Sequence, residues 1–144
     1  MLNRVRAIII KDEKLLTIKR SKQDLVYFVF PGGGVEQGED LEVAMKRECK
    51  EELGVEIKVI ENFTSERFDR GRIEQLEHFY FCDIVSGELG TGDGPEYDTN
   101  SDYEGIHELE WLCINDLFKY DLRPKEVVSK LLNILNNDKK FKNK

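Results

Sequence analysis

The feature that most restricts what this 144-residue chain can fold into is a helical pattern from about Asp40 to Leu53, preceded by Pro31-Gly32-Gly33-Gly34 and stopped by Gly54. Leu41, Met45, Cys49 and Leu53 recur at i, i+4, which on a helix makes one core-facing ridge. Glu48, Glu51 and Glu52 project from the strip beside that ridge, so three carboxylates cluster next to the core instead of spreading over the solvent face. Like charges so close raise one another's pKa unless something positive lies among them, and several oxygen ligands at one spot suit Mg²⁺, with Mn²⁺ the alternative. A solvated acidic flank is the competing reading of Glu-x-x-Glu-Glu, and carboxylate spacing by itself leaves both open.

Around this helix the pattern is mixed. Val5 to Ile10 is β-branched, Lys11-Asp12-Glu13-Lys14 reads as a polar turn and Leu15 to Lys19 as a second apolar run, so the chain is expected to open with a hairpin. Tyr27 to Phe30 is strand-like and should end at the glycine run, which reads as a tight loop. Val55 to Ile60, Leu76 to Val85 and Glu108 to Ile114 are further strands, with a long polar segment from Ser86 to Glu104 before the last. Pro124 suits a helix's first turn, and Val127, Val128, Leu131 and Leu135 follow at helical spacing. The expectation is one domain over residues 1–136 with a lysine- and asparagine-rich tail, 137–144, that is disordered.

Composition narrows the function. A net charge of −7 disfavours binding to a nucleic-acid polymer, which calls for a basic excess. Cys49, Cys82 and Cys113 show no Cys-x-x-Cys spacing, so neither a disulfide framework nor a zinc site is indicated. The absence of a signal-peptide layout and of any membrane-length apolar run predicts a cytoplasmic protein without membrane attachment. The glycine run fails as a P-loop, which needs Gly-Lys-Ser/Thr, and as a dinucleotide fingerprint, which needs Gly where Gln37 stands. Asp98, Asn100 and Asp102 mimic a calcium loop, but Tyr103 replaces its Gly and Leu109 its bidentate Glu.

The segment from Gly33 to Val55 has a further property. Gly33, five residues, Glu39, seven residues, Arg47-Glu48-Cys49, one residue, Glu51-Glu52, one residue, Gly54-Val55 resembles the Nudix box of the Nudix hydrolase family at every fixed position. Cys49 departs only in size, standing where the family has a larger aliphatic residue, and a free Cys serves as a small buried hydrophobe. The box covers 23 of 144 residues, and the flanking strand pair, aromatic strand and closing helix also resemble the family. The resemblance implies an α/β protein, specifically an α/β/α sandwich around a mixed β-sheet, and a Mg²⁺-dependent pyrophosphohydrolase that splits a nucleoside diphosphate linked to another moiety. The phosphates' own oxygens repel an attacking nucleophile, and a divalent cation neutralises that charge and acidifies water.

By the same resemblance Glu48, Glu51 and Glu52 are metal ligands, with the Gly33 carbonyl a candidate fourth. Glu48 is a candidate general base; Glu104, in the acidic segment before Trp111, is the loop alternative, and Glu108 the next. Arg47 would orient a catalytic glutamate and Glu39 would brace the loop. Arg4, Arg6 and Arg20 are weaker candidates for phosphate contacts, and Tyr27, Phe28 and Phe30 either stack a base or fill the core. His78 and His107 receive no role. With neither Pro nor Tyr between Glu56 and Arg72, a small nucleoside triphosphate, as in the MutT group, is the leading substrate, with ADP-ribose or a nucleotide sugar the alternative. A non-catalytic nucleotide sensor on the same fold would have lost the box glutamates, and an isomerase would need His and Cys positions that cannot be placed. A homodimer is compatible with the resemblance.

Overall fold

Alternation along Leu2–Ile8 builds β1, with Val5 and Ala7 buried on one face and Arg4 and Arg6 on the other. The structure is a computed structural model that describes residues 1–71, 73–92 and 106–137. Two units make up the chain, Met1–Ile9 with Pro31–Tyr103 and Ile10–Phe30 with Glu104–Lys144.

In the first unit β1 lies between β5 (Gly32–Gly34), to which it is antiparallel, and β7 (Ile73–Gly87), to which it is parallel; β6 (Val55–Arg70) closes the order β5-β1-β7-β6. The glycine run expected as a loop is therefore an edge strand. Three residues without side chains leave no β pattern to read, yet their backbone pairs readily. The strands β6 and β7 also exceed their expected bounds, forming one long hairpin. Charged residues such as Glu61, Glu66, Arg67, Asp69 and Glu74 interrupt its apolar pattern, and three register shifts break its alternation. His78 ties three strands together, its Nδ1 2.8 Å from Ser65 Oγ on β6 and its Nε2 3.1 Å from Asn3 Oδ1 on β1; burial lowers its pKa.

The helix α1, Leu41–Leu53, has the expected bounds for local reasons. Asp40 caps its start by accepting the Val43 N–H, and Gly54 ends it in the left-handed region at φ 82°, donating to the Cys49 and Lys50 carbonyls. Met45, Cys49 and Leu53 are buried as the ridge requires, joined by Ala44, while Leu41 is only half-buried. This helix contacts β1, β5 and β6.

The second unit holds a mixed sheet of order β2-β3-β4-β9 (Ile10–Lys11, Lys14–Lys22, Leu25–Val29, Leu122–Arg123), with β8 (Ile106–Cys113) also paired to β3. The opening hairpin is narrower than expected: only Ile10–Lys11 pairs back onto β3, through Asp12 and Glu13 at positive φ, while β1 serves the other sheet. A 3₁₀ turn over Ile114–Lys119, not foreseen, precedes β9. The closing helix α2, Lys125–Asn137, buries Val127, Val128, Leu131 and Leu135 and continues through Asn137, one residue into the expected tail; residues 138–144 lie outside the described chain. Among the described residues each unit combines a mixed sheet with one α-helix, the α/β class expected. Among the described residues no helix is long and apolar enough to cross a membrane.

At Gly54 a Cβ would meet the Thr91 side chain and lie 2.7 Å from the Gly92 nitrogen. Gly54→Ala is therefore expected to destabilise the protein by more than the roughly 1–2 kcal/mol of a left-handed alanine alone. Urea unfolding checks this; a loss under about 0.5 kcal/mol, the range of ordinary surface substitutions, would show that this cap is dispensable.

Candidate active site

Glu48, Glu51 and Glu52 share one side of α1, at i, i+3 and i+4, and their exposure is graded. The Glu52 residue is 3% exposed, whereas the Glu48 and Glu51 side chains are 16% and 40% exposed. Buried Glu52 accepts the Gly32 N–H at 2.8 Å through Oε1, which ties the helix to the glycine strand. Glu48 lies directly over Gly33: a Cβ there would be 2.5 Å from its carboxyl carbon. Gly33 is thus the gap through which Glu48 reaches the strand.

Arg47 joins the remaining acids. Its Nε and Nη2 donate to the two oxygens of Glu39 at 2.7 and 2.9 Å, a bidentate fork, while Nη1 donates to Glu48 at 3.1 Å and to Glu51 at 3.3 Å. Nη2 also donates to the Gly34 carbonyl at 2.9 Å. Glu39 in turn accepts the Glu36 N–H at 2.9 Å, closing the turn that leads into α1. The Arg47 fork, with the Glu36 N–H second, holds the Glu39 carboxyl down at about 2 from its usual 4.5, and Glu39 first, then the Glu48 charge, raises Arg47.

One sequence expectation needs correction here. The Gly33 carbonyl faces β1, because Gly33 and Val5 are a hydrogen-bonded antiparallel pair, as the flanking bonds from Ala7 N–H to the Pro31 carbonyl and Val35 N–H to the Asn3 carbonyl require. The groups that open away from β1 belong to Gly32 and Gly34. The three glutamates lie on one side of α1, and among the described residues no group of three His, Cys, Asp or Glu side chains is placed to hold a metal ion. Glu48 and Glu51 accept from Arg47, and Glu52 accepts from the Gly32 N–H. The donor set nevertheless suits a hard divalent cation, since it consists of carboxylate oxygens on one helix face.

Of the other candidates, Glu104 lies outside the described residues, and Glu108 is exposed on β8 opposite Lys19. Phe28 and Phe30 are core residues, and Tyr27 is covered by the Arg123 guanidinium 4.3 Å from its ring centre. All three thiols are free; burial pushes Cys82 up to about 12 and Cys49 well above the usual range, so both serve as packing. Sequence reasoning missed Glu77, a carboxylate on β7 that is 2% exposed. No periodic or motif signal marks it.

The extent of the likeness now decides the family: a profile of the NUDIX domain matches residues 1–131. The chain belongs to the Nudix hydrolase family. It is 40% identical over 129 residues to the ADP-ribose pyrophosphatase of Methanocaldococcus jannaschii, covering 86% of this chain and 69% of that one. It is 31% identical over 109 residues to the nucleoside triphosphatase NudI of Escherichia coli, covering 65% and 71%. The solution structure of the E. coli ORF135 protein superposes with a TM-score of 0.71 at 25% identity, over 96% of this chain and 94% of that one. Other relatives are longer, and the chain spans 41% and 30% of two of them. This Nudix hydrolase is therefore an enzyme of phosphoric anhydride bonds, with the α/β Nudix fold.

Two outcomes follow from the Nudix site. Gly33→Ala has no left-handed backbone to strain, so its Cβ acts through Glu48; turnover is expected to fall about a hundredfold, the effect of an ångström-scale misplacement, with the thermal midpoint little changed. Unchanged turnover would remove Glu48 from the chemistry. The depressed carboxyl of Glu39 contributes stability that is complete above pH 4.5 and is lost as pH falls towards 2. The stability gap between wild type and Glu39→Gln, followed in urea, should hold steady above that range and narrow below it; a gap independent of pH would refute the linkage.

Proposed function

We propose that this Nudix hydrolase is a Mg²⁺-dependent pyrophosphohydrolase of one domain over residues 1–136, converting a nucleoside diphosphate linked to a group X into NMP and P-X. The observation that carries this reading is the set of three carboxylates on one face of α1, with Glu48 and Glu52 against the Gly32–Gly34 strand and Glu48 and Glu51 held by Arg47. Glu48, Glu51 and Glu52 would hold the cation, which when bound supplies charge neutralisation at the diphosphate and acidifies water.

The chain's own residues divide the remaining work. Glu52, anchored on Gly32, fixes the position of the helix against the strand. Arg47 Nη1 bridges Glu48 and Glu51 until a stronger positive charge competes for them. Glu48, half-buried beside the strand, would accept a proton from water; Glu104 is the alternative base. Sensing without catalysis is disfavoured because the complete acid set is present.

For group X, the 40% identity to an ADP-ribose pyrophosphatase favours ADP-ribose, giving AMP and ribose 5-phosphate. The nucleoside triphosphate reading, which the sequence between Glu56 and Arg72 favours, keeps support from the NudI likeness. A cytoplasmic setting fits either substrate.

A product-release screen with Mg²⁺ and Mn²⁺ over ADP-ribose, nucleotide sugars, dinucleoside polyphosphates and (d)NTPs, including oxidised forms, tests the proposal, with Glu52→Gln as the blank. ADP-ribose turnover that requires the cation and vanishes in Glu52→Gln is the expected result, and Glu104→Gln should lower the rate without weakening cation binding if that residue is the base. Turnover surviving in Glu52→Gln would sink the assignment of the site.

A further inference from the structure

Beside the glutamate cluster the first unit carries a second charged group that the box does not contain. Arg4 and Arg6 are two residues apart on β1, so both leave the sheet on the face opposite Val5 and Ala7. Register sets Arg4 between Gly34 and Glu77, and Arg6 between Gly32 and Phe79. Arg6 Nε donates to Glu77 Oε1 at 3.2 Å, and these side chains are only 11% and 3% exposed. Arg4 Nε is buried and has no hydrogen-bond partner among the described residues.

These observations point to an anion. Buried guanidinium nitrogens are ordinarily hydrogen-bonded, and a donor without an acceptor asks for one from outside. Arg6 has Glu77 as a partner, whereas Arg4, opposite the same Glu77 in register, keeps a buried Nε without an acceptor. The position is also suitable, because Gly32, the cross-strand neighbour of Arg6, is the residue whose N–H holds Glu52. A guanidinium fork matches the paired oxygens of a phosphate, and a phosphate approaching three glutamates gains from a fixed cation beside them.

We propose that Arg4 and Arg6, the latter oriented by Glu77, are positioning residues that grip a phosphate group of the substrate next to the glutamate cluster. The assignment rests on the pyrophosphohydrolase reading above. Catalysis itself stays with the box; the arginines act on binding, in ground state and transition state alike.

The full chain carrying Arg4→Met tests this, because that change leaves the Arg6–Glu77 pair intact. With the substrate found in the screen, KM should rise about tenfold or more while kcat changes by less than about threefold, and Arg4→Lys should recover part of the loss. Replacing both members of the buried pair, Arg6→Met with Glu77→Met, avoids a stranded charge and should raise KM in the same way, with the thermal midpoint as the check on folding. An active wild type whose KM is unmoved by Arg4→Met overturns the arginine assignment and leaves the proposed function standing. Should the wild type hydrolyse nothing, the proposed function fails separately, and calorimetry with methylenediphosphonate and Mg²⁺ decides the arginines: about tenfold weaker binding in Arg4→Met supports them, and equal binding overturns them.

Discussion

The arrangement depends on one guanidinium. Arg47 makes five hydrogen bonds, two to Glu39, one each to Glu48 and Glu51, and one to the Gly34 carbonyl. Without it the turn at Glu36–Glu39, two acids of α1 and the edge strand would lose the one partner they share. A lysine, with a single ammonium on a flexible stem, has too few directed donors for that task. The planar fork lets a region rich in negative charge exist in one conformation before any cation is added.

The helix was legible in the sequence because its signals are local. Asp40, the i, i+4 ridge and Gly54 act within a few residues of one another, and the acids beside the ridge follow from the same period. The glycine strand was not legible, since strand signals reside in side chains and Gly32–Gly34 has none. The same blindness produced the misplaced carbonyl: which glycine faces β1 depends on a register with Val5, 28 residues away in the chain, and no neighbour in sequence reports it. The β6–β7 hairpin was underestimated because its bulges reset the alternation and its outer half is charged.

Charges far apart in sequence were the other limit. Glu77 reads as an ordinary polar position of a strand, and only the parallel pairing of β1 with β7 brings it to Arg6. Buried pairs of this kind contribute little net stability, because the desolvation of both ions offsets their attraction, so their presence is better explained by the geometry they impose. The two arginines on β1 and the three glutamates on α1 are in this sense complementary halves, one of fixed positive and one of fixed negative charge, built on neighbouring elements of the same unit.

The bond from the Gly32 amide to Glu52 gives the molecule an internal gauge. Its donor is a backbone proton on an edge strand and its acceptor a carboxylate whose charge is shared with whatever else approaches it. Any ligand that draws electron density from Glu52 weakens its hold on that proton, and one that displaces the carboxylate frees the strand edge. The resonance of a single backbone amide thus registers the ionic state of the site from within the sheet, with no label and no substituted side chain.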